Sequence, residues 1–212
     1  MGEKQLSPEN RSHIGQESAK GVFDIIALAA SAGGLKALSH VLAALPADFP
    51  ASIVVVQHLD PRHRSLMADI LSRRTALQVK QAEEGGRLTP GMAYIAPPNR
   101  HLLVNPDGTL SLSQSELVHF VRPSADLLFE SVAASFKDRV IAVVLSGTGS
   151  DGSMGVRAIK KMGGTVIVQD EKSSEFFGMP GAAVQTGCVD FVLPLDEIAP
   201  ALVTLVTTGD AP

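Results

Sequence analysis

The sequence predicts an α/β protein, a doubly wound, mainly parallel sheet flanked by helices and carrying an antiparallel hairpin insert. Three observations predict it. Apolar, largely β-branched runs at residues 24–30, 51–58, 139–146 and 165–169 read as strands buried on both faces. Stretches with apolar residues at helical spacing separate them, and that alternation argues for parallel strands joined by crossovers. Asp107-Gly108 lies between two short apolar runs and favours a tight antiparallel turn.

Residues 1–22 carry mixed charge, a proline and little periodicity, and are expected to form a mobile tail. The first strand stops at Ala30-Ser31-Ala32-Gly33-Gly34, and a helix follows over 35–44, closed by Pro46. The second strand ends at His58, and Asp60-Pro61 turns the chain. A helix is expected over 65–74 and a short strand over 78–82. Between residues 85 and 113 the pattern changes. Short strands over 92–96, 102–105 and 109–112, separated by proline- and glycine-bearing turns, are read together as an insert or edge ornament. A helix over 124–136 has Asp126 in its first turn. The third buried strand runs into Gly147-Thr148-Gly149-Ser150-Asp151-Gly152, followed by a helix over 153–162 ended by Gly163-Gly164. The fourth buried strand, a short helix over 180–186, a strand over 189–193 and a helix over 195–206 complete the domain. The expected division is thus a tail at 1–22, a catalytic-type domain at 23–206 and a C-terminal tail at 207–212.

Composition narrows the function. Of 212 residues, 45% are hydrophobic and 19% charged, so the chain can bury a core without disulfide staples. The net charge of -4 gives no basic footprint for a nucleic-acid partner. Cys188 is the only cysteine, which rules out an intrachain disulfide or a cysteine metal cluster and fits a reducing compartment. With no signal-type apolar segment and no run long enough to span a bilayer, a cytoplasmic protein without membrane insertion is expected.

Sites in doubly wound sheets form outside the carboxyl ends of the strands. Ser31, His58 and Asp151 each follow a different buried strand and should meet there. A serine hydroxyl becomes a useful nucleophile when an imidazole takes its proton and a carboxylate fixes that imidazole. The Ser31 turn resembles a nucleophile elbow, with Ala29 where the first glycine usually stands. Each residue also has a simpler explanation: Ser31 as turn or cap chemistry, His58 as a strand-end histidine bonded to backbone, Asp151 as the N-cap of the helix that follows it. The spacing of His58, Asp60 and His63 matches no strong metal signature, so no metal is expected. Gly147, Gly149 and Gly152 spell G-x-G-x-x-G between a strand and a helix, with Asp170 near the place of a ribose-binding acid. That is a dinucleotide fingerprint, but Asp151 would set a carboxylate against the pyrophosphate.

Ala30-Ser31-Ala32-Gly33-Gly34, Val56-Gln57-His58, Tyr94-Ile95-Ala96-Pro97-Pro98, Arg122-Pro123-Ser124-Ala125-Asp126, the Leu145–Gly152 stretch and Phe177-Gly178-Met179-Pro180 together resemble the catalytic domain of bacterial chemotaxis protein-glutamate methylesterases. The resemblance covers residues 23 to 206 in order. It implies hydrolysis of γ-glutamyl methyl esters on chemoreceptor helices with release of methanol, no cofactor, and in many members deamidation of receptor glutamines. It also implies Ser31 as nucleophile, His58 as general base and then acid, and Asp151 as the group that orients His58. The backbone amides around Ala32 and Thr148 become oxyanion candidates, and Arg122 a support for substrate or site shape. Two departures adjoin the chemistry: Ala32 replaces the family's usual threonine, and Thr148 a usual methionine. The usual receiver domain has no counterpart in the short tail, so a free-standing esterase is expected, constitutively active or regulated by a separate response regulator. The other readings are a partner-binding domain without turnover and a dinucleotide-binding protein.

Overall fold

The computed structural model describes residues 23–58 and 65–209. The expected N-terminal tail, the Asp60-Pro61 turn, His63 and residues 210–212 lie outside them. Strand β1 (Ile25–Ala30) is buried at every position, as its unbroken apolar sequence requires. It lies at the centre of a seven-stranded sheet, between β2 (Ser52–Gln57) and β7 (Val140–Val144). Beyond β2 come β4 (Met92–Ile95) and the edge strand β3 (Gln78–Gln81); beyond β7 come β8 (Thr165–Gln169) and the short edge strand β9 (Phe191–Leu193). Every neighbouring pair in this sheet is parallel.

The side-chain alternation of β1 divides the core in two. Ile26, Leu28 and Ala30 face α1 (Gly34–Ala43) and α6 (Leu195–Thr208). Ile25, Ala27 and Ala29 face α3 (Ala125–Phe136) and α4 (Ser153–Lys161). Burying one such aliphatic side chain is worth about 1.5–3 kcal/mol, and both layers are built from them. Helix α2 (Met67–Ser72) adds Met67 and Leu71 to the first layer, and α5 (Gly178–Gln185) adds Met179 and Ala183 to the second. No helix among the described residues is long and apolar enough to cross a membrane.

One expectation is corrected here. The strand at Met92–Ile95 is no ornament; it pairs in parallel with both β2 and β3 inside the main sheet. Only β5 (His101–Val104) and β6 (Leu110–Ser113) form the antiparallel hairpin that Asp107-Gly108 announced. That hairpin also belongs to the core, because Leu102, Val104 and Leu110 are buried in the α3 layer. The helix expected from residue 65 starts at Met67, and α6 continues to Thr208 before Gly209 closes it.

Candidate active site

From β1 the chain first winds towards β2 and β4, and later returns to lay down β7 on the other side. The crevice outside the ends of β1 and β7 is therefore the topological switch point, where doubly wound folds place ligands. Ser31 is the first residue after β1 and occupies it. Its amide donates to Ser146 O at 3.0 Å, and its carbonyl accepts from Gly34 N at 2.9 Å, which closes the turn. Gly33 takes the left-handed conformation at φ 74° that lets helix α1 begin immediately. Glycine at 34 has a different cause: a Cβ there would fall 2.1 Å from Gln57 Oε1 and 2.7 Å from Ala30 Cβ.

His58 extends the β1–β2 ladder by one step, its amide donating to Ala30 O at 3.1 Å. Ser31 and His58 thus follow paired positions, Ala30 and Gln57, of adjacent strands. The Gln57 amide joins the two turns, Nε2 donating to Ser31 O at 2.7 Å and to His58 O at 3.0 Å. Ser146 gives a second tie, its hydroxyl donating to Ala32 O at 2.8 Å and accepting from Phe176 N at 3.0 Å.

Asp151 arrives from the loop after β7 and is 3% exposed. Its Oδ2 lies 2.8 Å from His58 Nε2. The expectation that it caps the following helix is corrected: the N-cap of α4 is Gly152, with no side-chain bond. The carboxylate instead caps a helix distant in sequence. Ala125 N donates to Oδ2 at 2.6 Å, Asp126 N to Oδ1 at 3.1 Å, and the Ser124 hydroxyl to Oδ1 at 2.8 Å, all at the start of α3. Burial pushes the Asp151 carboxyl up, but the His58 bond and these three donors outweigh it and hold the group below its ordinary range. An ionised carboxylate fed by donors requires His58 to present Nε2–H, which leaves Nδ1 as the basic nitrogen.

Among the described residues no hydrogen bond joins the Ser31 hydroxyl to His58, although both stand at one sheet edge. No acceptor among the described residues takes the amide of Ala32 or of Thr148, so both amides are free to donate. Arg122 is a strut: Nε and Nη2 donate to Asn99 Oδ1 at 3.0 and 2.7 Å, and Nη1 to the carbonyls of Gln114 and Ser115. It walls a 150 Å³ hollow that His58 and Phe120 also line. A larger cleft of about 720 Å³ is lined by Ser31 and edged by Lys36, His40 and Arg74. In the glycine run of the dinucleotide fingerprint Gly147 packs against Met179 and Ser31 and Gly152 is the N-cap of α4, and Asp170 closes a turn by accepting from Ser173 N at 3.0 Å and Ser173 Oγ at 2.5 Å. Among the described residues no group of three His, Cys, Asp or Glu could hold a metal ion.

Sequence reasoning missed Gln57 as the link between the two turns, and Ser124 with His101 behind Asp151. Gln57 breaks an apolar strand just before a candidate base, and His101 breaks the apolar pattern of β5; both were visible as polar residues at buried positions.

Comparison with known proteins shows the family. The sequence profile of the family described as CheB methylesterase matches residues 26–202. A protein-glutamate methylesterase/protein-glutamine glutaminase of Moorella thermoacetica is 44% identical over 189 residues, covering 87% of this chain and 45% of that protein. The chain therefore spans about half the length of that relative. A relative from Leptospira interrogans is 40% identical over 183 residues, covering 86% of this chain and 95% of its own. The crystal structure of the Thermotoga maritima CheB methylesterase catalytic domain superimposes with a TM-score of 0.84 at 38% identity, covering 87% of this chain and 99% of that one.

Proposed function

The chain belongs to the CheB methylesterase family, and from that premise we propose that it hydrolyses glutamate γ-methyl esters on methyl-accepting chemoreceptors, with Ser31, His58 and Asp151 as the catalytic triad. The observation that carries the reading is the 2.8 Å bond between His58 Nε2 and Asp151 Oδ2, held beside Ser31 at the switch point of the sheet.

The steps follow from the atoms present. Ser31 Oγ attacks the ester carbonyl carbon while His58 Nδ1 takes its proton. Serine–imidazole bonds in hydrolases often tighten only once substrate is seated, so a loose pair in the resting site is compatible with this role. Asp151 keeps Nε2 protonated and stabilises the imidazolium that forms. The carbonyl oxygen becomes an oxyanion facing the free amides of Ala32 and Thr148, each worth about 3 kcal/mol at such a position. Collapse breaks the C–O bond to the methoxy group, and His58 hands its proton to the departing oxygen as methanol. The γ-glutamyl group is then esterified to Ser31. Water attacks that ester with His58 again as base, giving the glutamate carboxylate and regenerating the serine. A glutamine side chain follows the same course with ammonia as leaving group. Arg122 keeps the wall beside His58 in shape.

The test is methanol release from a methylated chemoreceptor fragment. Wild type should turn over, and Ser31→Ala should lose turnover by orders of magnitude while remaining folded. A folded wild type that binds the fragment and releases no methanol overturns the catalytic reading in favour of a binding domain.

A further inference from the structure

Behind Asp151 lies a histidine that this mechanism does not use. His101 opens strand β5 and is wholly buried. Its Nδ1 faces Ser124 N at 3.1 Å, and its Nε2 faces Glu116 O at 3.0 Å. A backbone N–H can only donate and a carbonyl can only accept, so the ring is fixed as the neutral tautomer, bare at Nδ1 and protonated at Nε2. Burial favours that neutral form; the Glu116 carbonyl opposes it, the Arg122 charge adds to it, and the Asp151 charge opposes it.

Ser124 is where the chain from this ring meets the site. Its amide is the group that His101 accepts, and its hydroxyl donates to Asp151 Oδ1 at 2.8 Å. The next two amides, of Ala125 and Asp126, complete the cradle for the same carboxylate. Asp151 in turn holds His58. A continuous path of bonds therefore runs from the Glu116 carbonyl through His101, Ser124 and Asp151 to the proposed base. We infer that His101 is a positioning residue of the active site, whose bare Nδ1 anchors the first residue before α3 and so fixes the direction of Asp151 and the ring of His58.

This inference rests on the proposed triad, and its geometric half can be tested without turnover. A protonated His101 would turn Nδ1–H against Ser124 N–H, two donors facing each other, so the tautomer is the diagnostic. In ¹⁵N-edited spectra of the whole protein, His101 should show one bare and one protonated nitrogen at neutral pH, the protonated one being Nε2. A ring protonated at Nδ1, alone or together with Nε2, overturns the inference whether or not the protein is an esterase.

The kinetic half contrasts two variants. His101→Asn can place Oδ1 where Nδ1 stood and accept from Ser124 N; His101→Gln places its polar end at the Nε2 position and cannot. With a methylated receptor fragment, kcat should fall about tenfold to a hundredfold in His101→Gln, the range found when the hydrogen-bonded partners that orient metal-binding histidines are removed. KM should stay near wild type, and His101→Asn should recover most of the loss. Equal losses in both variants, tracking their melting temperatures, would mean a structural role only and would overturn the inference. If His101→Gln fails to fold, Ser124→Ala cuts the same path one bond later, and unchanged kcat there also overturns it. Absence of turnover in wild type would count against the esterase reading, while the ring spectra would still decide the tautomer.

Discussion

Replacing Asp151 by asparagine changes one atom and one charge, and the structure says which bonds bear the change. The two carboxylate oxygens take four donors: His58 Nε2 and Ala125 N at Oδ2, and the Ser124 hydroxyl and Asp126 N at Oδ1. An asparagine must put its NH₂ at one of those oxygens. At the Oδ2 place it would face one N–H donor that cannot reverse, Ala125 N, beside His58, which can bare Nε2 by moving its proton to Nδ1. At the Oδ1 place it faces one, because the Ser124 hydroxyl can rotate and accept. Either placement therefore leaves one backbone amide unmatched, Ala125 N or Asp126 N. A buried donor without a partner costs about 1–3 kcal/mol of stability. For catalysis the loss is the negative charge that stabilises the imidazolium and, where the NH₂ faces His58, the tautomer that leaves Nδ1 basic. The drop in kcat should then be about 10³- to 10⁴-fold, the upper end being the fall this substitution gives in another triad, or ~4–5.5 kcal/mol of barrier. The pH dependence follows from the depressed carboxyl. With a folded pKa below its ordinary value of 3.8, ionised Asp151 stabilises the fold fully above that value, and the contribution fades as pH falls through the folded pKa. Urea unfolding of wild type and variant should thus differ at pH 7 and converge below about pH 4. Methanol release measures the catalytic half. A variant within tenfold of wild-type kcat, or a stability gap that persists unchanged into acid, would refute the reasoning.

Two further outcomes follow from the same region. Gly147→Ala would set a Cβ 2.5 Å from Met179 Sδ and 2.9 Å from Ser31 Cβ; we expect a loss of about 1–3 kcal/mol in urea unfolding, as for other overpacked sites, together with lowered turnover from the displaced serine. Asp126 shows the opposite sign to Asp151: burial raises its carboxyl above the ordinary value, with Gly155 N opposing and the Asp151 charge adding to the rise. Its ionised form costs stability at neutral pH, a cost that disappears as pH falls through the raised pKa. Asp126→Asn keeps an acceptor for Gly155 N at the Oδ1 place, so the variant should be as stable as wild type or more so at pH 7, with the difference vanishing in acid; a less stable variant at pH 7 contradicts this.

The parts of the fold that could be read from the chain are those decided locally. Strands β1, β2, β7 and β8 announce themselves because burial on both faces removes polar residues, and Asp107-Gly108 fixes its hairpin by turn chemistry alone. β4 could not be placed that way. Pro90 and Gly91 precede it, Pro97 follows it, and only its pairing with two strands from elsewhere in the chain makes it part of the main sheet. The same division holds at the site. Ser31, His58 and Asp151 were legible as polar residues at the ends of buried strands. The partner of Asp151 was not, since an aspartate just two residues before a helix reads as that helix's cap. Here the loop carries it to α3, whose first residues precede it by 26 positions in the tightest of those bonds. Capping between distant segments leaves no spacing to find.

The cap has a practical side for anyone wishing to catch the chain on its target. A trapping variant must lose turnover and keep its surface. Ser31 Oγ has no partner among the described residues, so removing it disturbs no bond among them. Asp151 is the floor under α3, and beside α3 stands the loop bearing Arg122 and the exposed Phe120. An inactive protein made at Asp151 would present a shifted wall to its target, and weak capture by it would say little about affinity. Crosslinking and pull-down experiments should use the serine variant.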